Sequence, residues 1–326
     1  MRRRDFIALV GGAAAAWPYM ARAQRKLPVI GYLSFTSPDE RPTLLTAFLQ
    51  GLEQEGYIPG HAVLIEYRSA EGHYERLPLL ASELAALPVA VLVATGGEAS
   101  ARAAKGATSK IPVVFTTGGD PVRAGLVESL NHPGGNVTGV SLIGADLDAK
   151  RIQLLHQLLP KANTFGVLLN PNSPSTQRYS ADLKSAADKT GVSILELEAG
   201  TESEIRSVFS SLQTRQVDAL LVTTNPFYEG RKEQIVALAA QFSVPVLYPW
   251  REYAEAGGLI SYGTSFTESY RQVGVYVGRI LKGENPADLP VVQPTKFDFV
   301  INLRAAKALK LSAPQDLLIA ADEVIE

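Results

Sequence analysis

The residues of this chain best placed to do chemistry are hydroxyls, amides and glycines that follow short apolar runs. Ser34, Thr36 and Ser37 follow the run 29–33, Thr95, Gly96 and Gly97 follow 89–94, and Thr116, Thr117, Gly118, Gly119 and Asp120 end 112–116. Asn170, Thr223, Thr224, Asn225 and Tyr248 stand at the ends of 165–169, 219–223 and 245–247. Such groups give and accept hydrogen bonds, yet without a base beside them they are poor nucleophiles. Their natural chemistry is reversible capture of a polar solute. Gly96-Gly97 ahead of a helix expected over 98–105 lets a ligand approach backbone N–H groups, and a helix N-terminus there favours a carboxylate. Tyr32, Phe35, Phe227, Tyr228, Tyr248, Trp250, Tyr253 and Tyr262 lie at or near the same run ends, where they can stack on a ring-bearing solute or join the core. The expected ligand contacts are Ser34, Thr36, Thr95, Gly96, Gly97, Thr116, Thr117, Asp120, Asn170, Thr224, Asn225, Tyr248 and Tyr262. Any one of these could merely cap a helix or make a turn. The repetition of the set along the chain is what points to binding.

Signatures of catalysis are missing. There is no G-x-G-x-x-G, no G-x-x-x-x-G-K-[ST], no H-E-x-x-H and no EF-hand loop. Gly139-Val140-Ser141 and Gly263-Thr264-Ser265 approach a nucleophile elbow but lack the closing glycine. His61, His73, His132 and His156 are scattered, and none directly follows an apolar run. Cysteine is absent, which excludes disulfides, Cys-ligated metal and thiol catalysis. The reading is therefore a non-enzyme with neither cofactor nor metal.

The elements that must position the polar residues alternate regularly. The β-rich runs 29–33, 63–67, 89–94, 112–116, 165–169, 193–197, 219–223, 245–247 and 297–301 suit buried parallel strands. Between them lie helical patterns. Leu44, Leu45, Phe48 and Leu52 share one helix face that Gly56 ends, and Ile205, Val208, Phe209 and Leu212 share another. Thr201 with Glu204, and Ser265 with Glu268, have capping-box spacing. Alternation of this kind predicts doubly wound parallel sheets. In open parallel sheets ligands bind at the carboxyl ends of the strands, where the polar residues stand.

The chain also resembles itself. Gly31-Tyr32-Leu33 matches Gly166-Val167-Leu168, the run 92–95 matches 221–224, and 111–115 matches 244–248, in the same order and at nearly one offset. This predicts two copies of one sheet meeting near 136–141. Residues 257–263 read as one more strand, 264–282 as one more helix, and the tail ends in a short helix. The leftover tail suggests that the chain passes between the lobes more than once, forming a hinge around a cleft.

The first residues predict the compartment. Arg2, Arg3 and Arg4 precede an apolar small-residue run that reaches Trp17, and Ala21-Arg22-Ala23 forms an A-x-A cleavage site. Arg3-Arg4-Asp5-Phe6-Ile7 fits the twin-arginine pattern. The apolar run is shorter than the ~20 residues that span a bilayer. Cleavage after Ala23 leaves 27 basic and 32 acidic residues, net −5. That balance argues against nucleic acid or an anionic membrane surface as partner.

Several segments carry a family resemblance: IGYLS (30–34), ATGG (94–97), PVVFTTGGDPV (112–122), GLVESLNHPGGNVTGVS (125–141), GGLISYG (257–263), FDFVINLRAAKAL (297–309) and ADEVIE (321–326). With them the chain resembles the ABC-transporter substrate-binding proteins of the type I periplasmic-binding fold, in the branch tied to tryptophan and tyrosine uptake. The resemblance implies two doubly wound α/β lobes joined by three crossovers. Lobe one would be 27–142 plus 257–282, and lobe two 143–256 plus 283–326. It implies an amino-acid-like or aromatic solute, with 95–97, Thr116 and Thr117 on its carboxylate and amino group and Asn170, Thr224 and Asn225 closing over it. It also implies an inner-membrane ABC permease as partner and a periplasmic location. A solute sensor feeding a membrane receptor is one alternative. A twin-arginine-exported enzyme is another, against which the missing nucleotide and metal motifs speak.

Overall fold

Two parallel-rich sheets follow from the apolar runs. A computed structural model describes residues 27–144, 147–188 and 190–326. The expected signal segment, 1–23, lies outside the described residues. The first sheet holds β1 (Val29–Ser34), β2 (Leu64–Ser69), β3 (Val91–Thr95), β4 (Val113–Thr117) and β5 (Val137–Ser141). Its order is β2-β1-β3-β4-β5, parallel throughout. The second holds β6 (Thr164–Leu169), β7 (Ser193–Glu198), β8 (Ala219–Val222), β9 (Val246–Tyr248), β10 (Ile260–Thr264), β11 (Phe297–Asn302) and β12 (Glu323–Ile325). Its order is β12-β11-β10-β9-β8-β6-β7, and the β10–β11 pair is antiparallel. From β7 to β10 this is the order of the first sheet, strand for strand, so the internal repeat of the sequence is a repeat of topology.

Helices cover both faces of each sheet, which is why the central strands are buried at nearly every position. Around the first sheet, α1 (Pro42–Gln54) packs on α10 (Phe266–Leu281), and α2 (Leu77–Ala86) on α3 (Glu98–Ala107). The helices α1 and α10 cross backbone to backbone. A Cβ on Gly51 would collide with the Arg271 carbonyl, and one on Gly274 with the Phe48 carbonyl. Around the second sheet lie α4 (Asp148–Leu158), α5 (Thr176–Asp188), α6 (Glu202–Ser211), α7 (Pro226–Glu229), α8 (Lys232–Gln241), α9 (Arg251–Glu255), α11 (Leu303–Ala308) and α12 (Gln315–Ala320). The two-residue period of β6 sorts its side chains. Phe165, Val167 and Leu169 join the core under α4 and α5, while Leu168 joins the one under α6 and α8.

The expected capping boxes form in part. Thr201 Oγ1 accepts the Glu204 N–H at 3.2 Å, and Glu204 reaches back to the Gly200 N–H at 2.7 Å, one residue before the expected donor. Ser265 Oγ accepts the Glu268 N–H, but the Glu268 carboxylate turns to Arg271 instead.

The chain passes between the sheets three times: after β5, at 264–266 between β10 and α10, and at 292–297 before β11. Two expected boundaries move. Strand β10, expected with the first sheet, is hydrogen-bonded between β9 and β11 in the second. It is the second copy's equivalent of β5, and its register with β9 decides its place. Residues 283–292, expected with the second sheet, stay on the first. The Leu289 carbonyl accepts Thr138 Oγ1 at 2.7 Å, the Pro290 carbonyl accepts the Tyr276 hydroxyl at 2.7 Å, and Val292 bridges Val140. The short helix expected near the end of the tail is α12, and beyond it Glu323–Ile325 adds the edge strand β12.

Candidate ligand-binding site

The carboxyl ends of both sheets face one cleft of about 1110 Å³ of atom-free space, counting the part open to solvent. In a parallel sheet all strands end on one side, so register aligns their terminal side chains: Ser34 stands opposite Thr95, and Thr117 opposite Ser141. After β3 the backbone turns through Gly96 (φ 98°) and Gly97 (φ 88°) into α3. A Cβ on Gly96 would sit 2.5 Å from the Phe35 Cβ, so only glycine fits. No side chain caps α3, and Gly97, Glu98 and Ala99 at its start line the cleft. Open N–H groups at this end carry the positive pole of the helix.

At the end of β4, Thr116 and Thr117 are buried on the cleft wall. Thr117 Oγ1 accepts the Gly119 N–H at 3.2 Å. Asp120 Oδ1 accepts the N–H groups of Val122 and Arg123, so this carboxylate shapes its own turn. From the second sheet, Asn170 Nδ2 donates to Asn225 Oδ1 at 3.3 Å, and that oxygen also caps α7 through the Phe227 N–H. Thr224 leans across the cleft onto Gly118, where a Cβ would come within 2.7 Å of the threonine methyl.

Eight expected contacts therefore line the cleft: Gly96, Gly97, Thr116, Thr117, Asp120, Asn170, Thr224 and Asn225. Ser34, Thr36 and Thr95 line a smaller adjoining cavity of about 280 Å³, with Arg41, Gly96 and Tyr270 common to both. Two of these hydroxyls are spent internally: Ser34 Oγ donates to the Thr36 carbonyl, and Thr95 Oγ1 to the Tyr32 hydroxyl. Tyr248 and Tyr262 line neither cavity. Tyr248 is fully buried and stacks on Tyr253 with centroids 4.8 Å apart. Tyr262 packs on Phe297 and Phe299. Both tyrosines lie near strand ends, but their side chains leave through a sheet face rather than the carboxyl edge.

Trp250, one of the run-end aromatics expected to stack on a solute or join the core, does reach the cleft, and Phe266 and Tyr270, which no local pattern marks for the cleft, complete an aromatic wall with it. Trp250 and Phe266 are stacked at 4.8 Å and Tyr270 is edge-on to Phe266 at 5.2 Å. Two ion pairs of opposite polarity cross the mouth. Glu98 on α3 pairs with Arg178 on α5, and Arg123 pairs with Asp182, one turn further along α5, at 3.1 Å. The Arg41 guanidinium donates to the Pro226 carbonyl across the same gap. Glu229, at the end of α7, faces the cleft with Oε2 shut off from water and without a hydrogen-bond partner among the described residues. Burial pushes its pKa up to about 7. The i, i+4 spacing of Arg178 and Asp182 was visible in the sequence, but their partners are 80 and 59 residues away.

Behind the cleft, Arg151 is fully buried. Its guanidinium donates to the carbonyls of Gly144, Tyr262 and Pro249 and pairs with Asp148 at 2.9 Å. Asp148 also accepts the hydroxyl of Tyr179, a cleft residue. Among the described residues no group of His, Cys, Asp and Glu is arranged to hold a metal, and no helix is long and apolar enough to cross a membrane.

Residues 29–325 match the family model described as ABC transporter substrate binding protein. The chain belongs to the ABC transporter substrate-binding family. This substrate-binding protein is 30% identical over 291 residues to the tyrosine-binding protein of Clostridioides difficile, covering 87% of this chain and 83% of that one. It overlays on an ABC domain in complex with L-Trp from Streptococcus pneumonia with a TM-score of 0.81 at 27% identity, covering 92% of this chain and all of the other. On a ligand-free, open substrate-binding protein with adhesive properties from Clostridium difficile the TM-score is 0.65 at 28% identity, covering 92% and 99%. At nearly equal identity the overlay is thus tighter on the ligand-bound relative.

Proposed function

We propose that this chain is the periplasmic solute-capturing component of an ABC importer and that it closes over an aromatic amino acid. The observation that carries this is the single cleft formed by the carboxyl edges of two repeated sheets, with an aromatic wall at one side and uncapped N–H groups at another. The N-terminus of α3 with Thr116 takes the carboxylate. Trp250, Phe266 and Tyr270 flank the ring, and Asn170, Thr224 and Asn225 close from the second lobe. One lobe moves as 27–142 with 266–292 and the other as 147–264 with 297–326, hinged at the three connections. The tighter overlay on the L-Trp complex and the ion pairs across the mouth support reading this arrangement as closed. No bond is made or broken in the cycle. The closed form docks on an inner-membrane permease, and residues 1–23 direct export by the twin-arginine route with cleavage after Ala23.

The test is a thermal-shift screen of the purified mature chain, stripped of ligand, against the twenty amino acids and aromatic acids. A ligand that binds the native state alone raises Tm, by an amount that grows with concentration. Shifts confined to tyrosine, tryptophan or phenylalanine are expected. A flat response to all amino acids overturns the reading. Cleavage is checked by N-terminal sequencing of protein from the periplasmic fraction.

A further inference from the structure

Most charges in the cleft are already occupied. Glu98 and Arg178 hold each other, Arg123 holds Asp182, and Asp120 caps its own turn. Arg41 donates to the Pro226 carbonyl through its terminal nitrogen, although its Nε has no partner among the described residues. That leaves the Glu229 carboxylate, whose Oε2 has no hydrogen-bond partner among the described residues. It sits one helical turn beyond Asn225, so both project from the same side of α7 into the cleft. A buried carboxylate oxygen with no donor costs free energy that a cation brought by a ligand would recover.

We propose that Glu229 is the docking point for the protonated amine of the solute, so that this cleft selects solutes carrying an ammonium group. This rests on the amino-acid reading of the cleft and adds a residue to it. The groups around Glu229 fit such a role. Arg41 and Lys232 draw its charge out, while Glu252, Glu233 and the buried Tyr253 oppose it, and Glu40 lies beside Gly230 at the end of the same helix. Desolvation outweighs these, and the empty site exchanges a proton near pH 7. An incoming ammonium takes that proton's place. Glu229 is the carboxylate of this group that lines the cleft, with Glu252 and the Tyr253 hydroxyl buried behind it and likewise holding an oxygen without a partner among the described residues. The start of α3 is the positive end of the cleft, and a zwitterion reaches from it to Glu229.

Isothermal titration calorimetry on the ligand-stripped mature chain tests this, with L-tyrosine and with 3-(4-hydroxyphenyl)propanoate, which has the same ring and carboxylate but no amine. Wild type should bind tyrosine, and Glu229→Gln should weaken it by roughly thirtyfold or more, with Glu229→Asp in between. The propanoate should bind wild type and Glu229→Gln equally weakly. In wild type the tyrosine affinity should fall about tenfold per unit as pH drops below about 7 and stay flat in Glu229→Gln, a readout that needs no fold change. Unaltered tyrosine binding by Glu229→Gln, or propanoate binding as tight as tyrosine in wild type, would overturn the assignment and leave the amino-acid reading standing. Wild type that binds none of the amino acids overturns both.

Discussion

Trp250 and Phe266 lie face to face, with ring centroids 4.8 Å apart and planes 7° from parallel, although one follows a strand of the second sheet and the other opens a helix packed on the first. Only α9, β10 and short connections separate them along the chain. The stack therefore bridges the two lobes directly beside a crossover and forms part of the cleft wall at the same time. An offset aromatic pair adds ~1 kcal/mol beyond its buried area. Replacing Phe266 with Leu should lower Tm modestly, and Trp250→Ala should cost ~3–5 kcal/mol. A double-mutant cycle by urea unfolding should return a coupling of about 1 kcal/mol. Additive losses would mean that the rings pack without interacting.

The two ion pairs at the mouth should contribute unequally. Arg123 and Asp182 are each about half exposed (53% and 41%), and exposed pairs are worth ~0–1 kcal/mol. Glu98 keeps only 10% of its side-chain surface in contact with solvent, so the bond to Arg178 is less screened. Arg178→Glu should expand the ligand-free protein in small-angle X-ray scattering and weaken ligand binding about tenfold. Arg123→Glu should do less, and the swap Glu98→Arg with Arg178→Glu should restore compaction. Equal effects from both single changes would count against this ranking.

Gly97 faces Pro226 across the cleft, and a Cβ there would come 3.3 Å from the proline Cγ. Its φ of 88° adds strain for any other residue. Gly97→Ala should leave each lobe folded, lower Tm slightly, and slow or weaken closure, seen as reduced ligand affinity with a larger radius of gyration. A variant that binds as wild type does would show that the lobes need not approach this closely.

Arg151 ties 144, 249 and 262 together from inside the second lobe. Arg151→Met removes one partner of a buried pair and leaves the Asp148 charge behind, a change that costs ~3–5 kcal/mol. Chemical denaturation should read that loss. Asp148→Asn in the same background should recover part of it by removing a buried charge that has lost its guanidinium.

Glu229 sets a pH dependence of the empty protein. Its folded pKa of about 7 lies above the ordinary 4.5, so between those values the folded state holds more protons than the unfolded one. Stability of the ligand-free form should therefore fall as pH rises through this window and level off above it, by at most ~3 kcal/mol. Glu229→Gln should raise Tm over wild type at pH 8, and the gain should shrink towards pH 4.5. A gain of the same size at both pH values would place the effect elsewhere than in titration.

Much of this molecule was legible in the sequence. Continuous apolar runs marked nine strands to within a few residues, because a strand buried on both faces leaves a local signature that does not depend on its neighbours. The repeated segments at 31–33 and 166–168 foretold two sheets of one topology. Eight of the thirteen expected contacts reach the cleft, since every strand of a parallel sheet ends on the same edge. What folding alone decided depends on partners far away in the chain. Hydrogen bonds to β9 and β11 put β10 in the second sheet. Side-chain direction turned Tyr248 and Tyr262 away from the cleft they were expected to line. The charges of Glu98, Arg123, Arg178 and Asp182 became interlobe pairs, and Glu229 kept a buried oxygen with no hydrogen-bond partner among the described residues, because packing set what stands opposite each of them. Local sequence carries periodicity and end chemistry; it carries no information on which distant group will neutralise a charge, and in this cleft that is what separates a wall residue from a ligand contact.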